Sequence, residues 1–207
     1  MKTAYIFCKA FDLNERKINI GAGMYIAADS GLETAKKLGI EPAVIIGDFD
    51  SVDPALAAGY ERLHHPAEKD DTDSMLCVKY ALEHDFLDIV IIGGTGGRID
   101  HTLANLSMLK YIANRSGTGV ITDGFNKISY LSSDISNGNM RVHKNYKYIS
   151  IIPIGRELTG VTLTGFLYNL NDASVQSDEI YSISNEISGE FGDITITNGE
   201  ALVCECD

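Results

Sequence analysis

Asp29, Asp48, Asp50, Asp73 and Asp100 each stand directly after an apolar run or at the start of a helical pattern. Asp29 follows Met24 to Ala28, and Asp48 and Asp50 follow Val44-Ile45-Ile46-Gly47. Asp70, Asp71 and Asp73 open the helical pattern that carries Met75, and Asp100 opens the next one, after Ile89 to Ile92. Carboxylates crowded together raise one another's pKa unless a cation compensates them. Oxygen ligands with no His or Cys in the pattern favour Mg2+ over zinc, and Mg2+ takes few carboxylates, sharing its other positions with water and substrate phosphates. Taken singly, Asp71, Asp73 and Asp100 also suit helix N-caps, and Asp48 and Asp50 a loop turn. Caps need not converge; a metal site must.

The second chemical feature is Gly93-Gly94-Thr95-Gly96-Gly97-Arg98, between a strand-like run and a helical one. Glycines there allow backbone N–H groups to approach phosphate oxygens, and a helix start favours the anion. Arg98 can hold a phosphate with two parallel hydrogen bonds, and Lys69, just before the acids, is a second candidate phosphate cation. A tight turn and a solvated lysine are the plainer readings. The run matches neither G-x-x-x-x-G-K-[ST] nor G-x-G-x-x-G, so the common nucleotide fingerprints are absent. Acids for Mg2+ beside a cationic glycine loop suggest Mg-nucleotide chemistry, which works by positioning and charge neutralisation and needs no covalent nucleophile.

These residues need a scaffold that gathers them. Tyr5 to Cys8, Met24 to Ala28, Val44 to Ile46, Ile89 to Ile92 and Val120 to Ile121 read as short buried strands. Between them Leu32, Ala35 and Leu38 share one helical face, as do Met75, Val78 and Leu82, and Leu103, Leu106 and Leu109. Gly39 and Pro42 should end the first helix. Strand alternating with helix predicts an α/β domain, a parallel sheet flanked by helices, whose strand carboxyl ends and helix starts share the edge where ligands bind.

Helical spacing disappears after Gly124. Lys127 to Leu131, Tyr148 to Pro153, Val161 to Leu163, Glu186 to Phe191, Ile194 to Thr197 and Ala201 to Cys206 are rich in β-branched and aromatic residues, with Asn137-Gly138, Gly192-Asp193 and Asn198-Gly199 as turns. The expectation is residues 1–124 as an α/β domain for Mg-nucleotide chemistry, and 125–207 as an all-β, antiparallel, sandwich-like domain.

Composition excludes other classes. The 207 residues carry 17 Lys+Arg against 29 Asp+Glu, a net charge of -12, so nucleic acid is a poor partner. No apolar stretch approaches the roughly 18 residues of a membrane span. The N-terminal apolar run breaks at Lys9, too early for a signal peptide. Cys8, Cys77, Cys204 and Cys206 form no metal-ligand pattern and read as reduced thiols of a cytoplasmic protein, with Cys204 and Cys206 on one strand face.

The same residues resemble the thiamine pyrophosphokinase family. The likeness runs in order through Ala27-Ala28-Asp29-Ser30-Gly31, Gly47-Asp48-Phe49-Asp50-Ser51, Lys69-Asp70-Asp71-Thr72-Asp73, Gly93 to His101 and Ser184-Asn185-Glu186. The resemblance implies transfer of a diphosphoryl group from ATP to thiamine, giving thiamine diphosphate and AMP with Mg2+. It also implies a homodimer, each active site lying between the α/β domain of one subunit and the β domain of the other, so that residues 125–207 bind thiamine and dimerise. By motif, Asp29, Asp48, Asp50 and Asp73 resemble the acids around magnesium and the polyphosphate. Asp29, Ser30, Lys69, Gly94, Thr95, Gly96, Gly97 and Arg98 fall to the ATP site, with Arg98 also a candidate catalytic residue that stabilises charge on the transferring group. Asp100, Tyr168, Ser184 and Asn185 fall to thiamine, with Asp73 and Asp100 as candidate bases. Tyr168 stands where some relatives have a tryptophan; core packing is its plainer reading, and a hairpin turn that of Ser184-Asn185. Two rival functions remain: diphosphoryl transfer to another hydroxymethyl heterocycle such as a pterin alcohol, and a sensing module without turnover.

Overall fold

A computed structural model of the chain describes residues 2–48, 55, 58–64, 71–179 and 181–207. Asp50 and Lys69 lie outside the described residues. The chain divides into two compact units, Met1–Gly124 and Phe125–Asp207.

The first unit alternates as its apolar runs predict. Its strands are β1 (Thr3–Phe7), β2 (Met24–Ala28), β3 (Val44–Gly47), β4 (Glu61–His64), β5 (Asp88–Ile92) and β6 (Thr118–Thr122); its helices are α1 (Gly31–Lys37), α2 (Asp73–Glu83) and α3 (Ile99–Ala113). The strands lie in the order β4-β3-β2-β1-β5-β6, and every neighbouring pair is parallel. Such strands are buried on both faces, which is why they read as continuous Ile/Val/Ala runs. Tyr5 and Phe7 pack with Ala35 of α1 on one face. Gly119, paired with Ile89, lies against Leu109 and Ile112 of α3 on the other. Helices therefore flank both faces of the sheet.

Helix α1 stops in a Schellman arrangement. Gly39 has φ +70°, its N–H donates to Lys36, and the N–H of Ile40 reaches back to Ala35. Strand β4 escapes the sequence reading because Glu61-Arg62-Leu63-His64 is too polar to announce a strand; among the described residues it pairs on one side only, at the edge of this parallel sheet. The face of α3 is rotated from expectation. Leu103 is exposed, and the buried stripe is Asn105, Met108, Leu109 and Ile112. Likewise α2 buries Ser74, Cys77, Val78 and Ala81 rather than Met75 and Leu82. Each helix turns a small or polar residue inward near its start.

The second unit comprises β7 (Asn126–Ser132), β8 (Asn139–His143), β9 (Tyr148–Pro153), β10 (Glu157–Thr164), β11 (Leu170–Gln176), β12 (Phe191–Thr195) and β13 (Glu200–Cys206). Here β13 lies between β7 and β9, antiparallel to both, and β11-β10-β12-β8 form an antiparallel four-stranded sheet. Leu131, Ile149, Ile151 and Val203 from the first group meet Val142, Leu158, Val161, Leu163, Val175 and Ile194 from the second in one core, a sandwich. Two expected features differ. Gly192-Asp193 is no turn but lies within β12, paired with Val142 and Arg141; a Cβ on Gly192 would sit 2.5 Å from the Phe166 ring. Glu186 to Phe191 forms no strand before Phe191; an isolated bridge between Phe166 and Ile187 and separate hydrogen bonds to Gly165 and Lys144 tie it down instead. Strict alternation in β13 buries Ala201, Val203 and Glu205 and puts Cys204 and Cys206 on the opposite face. The buried Glu205 is satisfied by Lys127, its cross-strand partner, at 2.6 Å. All four cysteines are free thiols. Among the described residues no helix is long and apolar enough to cross a membrane.

Candidate active site

Parallel strands deliver their carboxyl ends to one edge, and three acids meet there. Asp29 follows β2, Asp48 follows β3, and Asp73 is the first residue of α2. Each contributes a carboxylate oxygen, all within 4.8 Å of one another. Two local devices make this approach possible. Asp29 adopts φ +45°, a left-handed conformation that Asp tolerates better than most residues, while its N–H donates to Ile46 of the neighbouring strand. Gly47 carries no Cβ; one placed there would stand 3.0 Å from Asp29 Cβ and 3.4 Å from Asp73 Cγ. Three carboxylates at this spacing repel unless a cation joins them. Their all-oxygen chemistry fits Mg2+.

The capping alternative is decided by position. The N-cap of α2 is Thr72, whose hydroxyl accepts from the N–H of Met75, and Asp71 pairs with Lys79 at 2.5 Å. Asp73 therefore serves the cluster and Asp71 does not.

The glycine loop joins β5 to α3. Gly93, Gly94, Gly96 and Gly97 all have φ between +62° and +82°, which explains the glycine run. At Gly97 the need is also steric: a Cβ would lie 2.2 Å from the ring of Phe11. The loop is tied down by Gly93 N–H to Thr122, Gly94 N–H to Lys9, and the Thr95 hydroxyl to Asp123 Oδ2 at 2.9 Å. Among the described residues no group accepts from the backbone N–H of Thr95, Gly96 or Gly97. Three such donors in succession suit an anion.

One cavity of about 550 Å3 collects Asp29, Ser30, Asp48, Asp73, Gly94, Gly96 and Arg98. Thr95, Gly97 and Asp100 belong to the loop and helix start beside it but do not line it. Arg98 Nε and Nη2 donate to the two oxygens of Asp100 at 3.1 and 2.6 Å. This pairing, with the N–H of His101, holds Asp100 down at about pH 2, well below the usual carboxylate range. Asp100 so held is a weak base; releasing it would free the Nε and Nη2 fork of Arg98 for a phosphate.

The cavity also contains residues that sequence reasoning missed: Lys9 and Phe11, beyond the end of β1, and Ser74 and Asn105. The rule that found Asp29 and Asp48 applies equally to Lys9, which stands just past a strand's carboxyl end. Cys8 lines the same wall, but burial first and then the charge of Asp73 push its thiol up to about 12, so it is a neutral packing group. His101 is a lining residue; His64 offers no described side chain.

In the second unit Tyr168 is 71 % exposed, so it is not a core residue. Asn185 is buried, and its amide brackets the Tyr168 backbone: Tyr168 N–H donates to Oδ1 at 3.1 Å, and Nδ2 donates to the Tyr168 carbonyl at 2.7 Å. Oδ1 also accepts from the N–H of Glu186. Asn185 thus fixes the loop presenting Tyr168. Ser184 is exposed, with φ +56° and its N–H bonded to the Ser150 hydroxyl. These three are brought together as a group.

Comparison with known proteins places the chain in a family. Residues 16–121 match the profile described as "Thiamin pyrophosphokinase, catalytic domain", and residues 139–203 match "Thiamin pyrophosphokinase, vitamin B1 binding domain". The chain is 34 % identical over 182 residues to thiamine pyrophosphokinase of Bacillus subtilis, covering 85 % of this chain and 84 % of that protein. It is 29 % identical over 153 residues to thiamin pyrophosphokinase 1 of Caenorhabditis elegans, covering 71 % of this chain and 63 % of that protein. The crystal structure of the Bacillus subtilis enzyme superposes with a TM-score of 0.89 at 29 % identity, covering 99 % of both chains. That of the Geobacillus thermodenitrificans enzyme superposes with 0.84 at 27 % identity, covering 100 % of this chain and 98 % of that one. With both profiles matched in order on a fold that gathers the acids and the glycine loop at one edge, the chain belongs to the thiamin pyrophosphokinase family.

Proposed function

We infer that this protein transfers a diphosphoryl group from ATP to thiamine, releasing AMP. The observation that carries the reading is the meeting of Asp29, Asp48 and Asp73 in a cavity whose wall includes Gly94, Gly96 and Arg98. Asp29, Asp48 and Asp73 are the residues that would hold Mg2+, with Asp50 a further candidate from the sequence. When bound, the ion neutralises charge on polyphosphate oxygens.

The remaining work belongs to the chain. The open N–H groups of the glycine loop donate to phosphate oxygens. Arg98 exchanges Asp100 for phosphate, and Ser30 and Lys69 complete the ATP contacts. The oxygen of thiamine's primary hydroxyl attacks the β-phosphorus; the bond from that phosphorus to the oxygen bridging to the α-phosphorus breaks; AMP leaves with that oxygen. The hydroxyl proton passes to a carboxylate, Asp73 or an Asp100 released by Arg98.

The Phe125–Asp207 unit supplies thiamine contacts through Tyr168, Ser184 and Asn185, with Met1–Gly124 as the catalytic unit. An exposed tyrosine face suits the cationic thiazolium, an interaction of about 1 kcal/mol. We expect a homodimer in which these residues serve the partner's catalytic unit, in a reducing cytoplasmic compartment that suits four free thiols. Neither a pterin alcohol as acceptor nor a sensing role without turnover is favoured by the family assignment.

Phosphorus NMR of a reaction with ATP, thiamine and Mg2+ tests the chemistry: AMP and thiamine diphosphate are expected, and ADP would sink it. Tyr168→Ala should raise KM for thiamine about fivefold while leaving KM for ATP in place. Equal change in both would make Tyr168 a structural residue.

A further inference from the structure

Asn105 is a polar residue on the otherwise apolar inner stripe of α3, 6 % exposed, and it reaches the cavity wall. Its Nδ2 donates to the carbonyl of Gly94 at 2.7 Å, and its Oδ1 receives the hydroxyl of Ser74 at 2.9 Å. The bonding pattern has only one consistent direction. A carbonyl can only accept, so the amide nitrogen must face Gly94 and the amide oxygen must face Ser74. Ser74 must then donate, and the hydroxyl of Thr72, 3.1 Å away, must donate to Ser74 while accepting from Met75 N–H. The result is one directed chain: Thr72 to Ser74 to Asn105 to Gly94. It joins the cap of α2, the helix that begins with Asp73, to the first turn of the glycine loop.

We propose that Asn105 is the positioning residue that locks the glycine loop in its anion-receptive form and couples it to the helix bearing Asp73. This rests on the reading of that loop as the polyphosphate site. The Gly94 carbonyl carries partial negative charge and would repel a phosphate. Asn105 turns it inward and satisfies it. Across the same rigid peptide the N–H of Thr95 points the opposite way, away from Asn105. Gly94 must be a glycine for this contact, since a Cβ there would stand 2.8 Å from Nδ2 in addition to its φ of +75°. Because hydrogen bonds in a chain polarise one another, Ser74 and Thr72 strengthen the hold on the loop.

The test is calorimetric binding of a non-hydrolysable Mg·ATP analogue, with steady-state KM values beside it and thermal melting to verify folding. Asn105→Ala removes both bonds. Asn105→Asp keeps the shape and still accepts from Ser74 but cannot donate to Gly94. Both should weaken the analogue by about tenfold or more while KM for thiamine at saturating ATP stays within about twofold. Ser74→Ala, which leaves the Gly94 bond intact, should lose only about two- to threefold. If either Asn105 variant is folded and binds the analogue as the unmutated protein does, the proposal is overturned and the site reading survives. If the Asn105 variants do not fold, Ser74→Ala decides: unchanged binding overturns the coupling to α2. An unmutated protein that binds no Mg·ATP analogue would overturn the site reading itself, and this proposal with it.

Discussion

Asp73→Asn should abolish most turnover, by about 10²- to 10³-fold, with the fold retained. The substitution keeps the volume and one oxygen at the start of α2 but removes the charge from a cluster whose oxygens lie within 4.8 Å. Two effects on the metal-free protein oppose each other. The favourable position of an anion in the first helical turn is lost, and the repulsion from Asp29 and Asp48 is relieved. The melting temperature without metal should therefore change little, whereas the rise in melting temperature on adding Mg2+ should disappear. At about 100 times its Kd a cation stabilises by about 2.7 kcal/mol, a shift readily seen by scanning fluorimetry. A variant with near-normal rate at limiting Mg2+, or one that keeps the full Mg2+-dependent shift, would remove Asp73 from the metal site.

Gly31→Ala should destabilise the first unit by about 3 kcal/mol, against the helix-propensity gain of about 1 kcal/mol that Ala normally brings over Gly. Gly31 is the first residue of α1, in the segment that carries Asp29 and Ser30. A Cβ there would stand 1.9 Å from the carbonyl oxygen of Phe7, 2.5 Å from its carbon and 2.9 Å from Cys8 Cα. All three are backbone atoms of β1 and its end, so no side-chain rotation relieves the clash. Either α1 lifts from the sheet or the β1 terminus moves, and both movements disturb the wall formed by Cys8, Asp29 and Ser30. The melting temperature should fall by about 6–12 °C, with turnover falling in parallel. An unchanged or raised melting temperature would show that the two segments part more easily than their packing implies.

Much of this site is legible without coordinates because its signals are local. Apolar runs alternating with helical spacing specify parallel strands, and parallel strands deliver the residues at their carboxyl ends to one edge. Asp29, Asp48 and the glycine loop could be placed there from spacing alone. Where local signals were weak, the reading failed for definite reasons. Glu61 to His64 is a polar edge strand without apolar runs, and Gly192 looks like a turn residue although its missing Cβ makes room for Phe166. Leu103 fits a helical stripe but faces outward, because α3 turns Asn105 inward to bond the loop.

The sequence by itself determined the architecture, the order of the acids along the sheet edge and the glycine turn, since backbone conformation follows from spacing, capping and side-chain shape over a few residues. Tertiary structure alone decided which polar side chains pair. Asp71 goes to Lys79 and Asp73 to the cluster, Arg98 rests on Asp100, Asn185 brackets Tyr168, and Asn105 joins Ser74 to Gly94. The physical reason is that most of these partnerships bridge separate elements, and even neighbours such as Asp71 and Asp73 are assigned by which way each side chain turns. Pairing depends on the rotation of a packed helix, and one residue of rotation sends a side chain to a different neighbour.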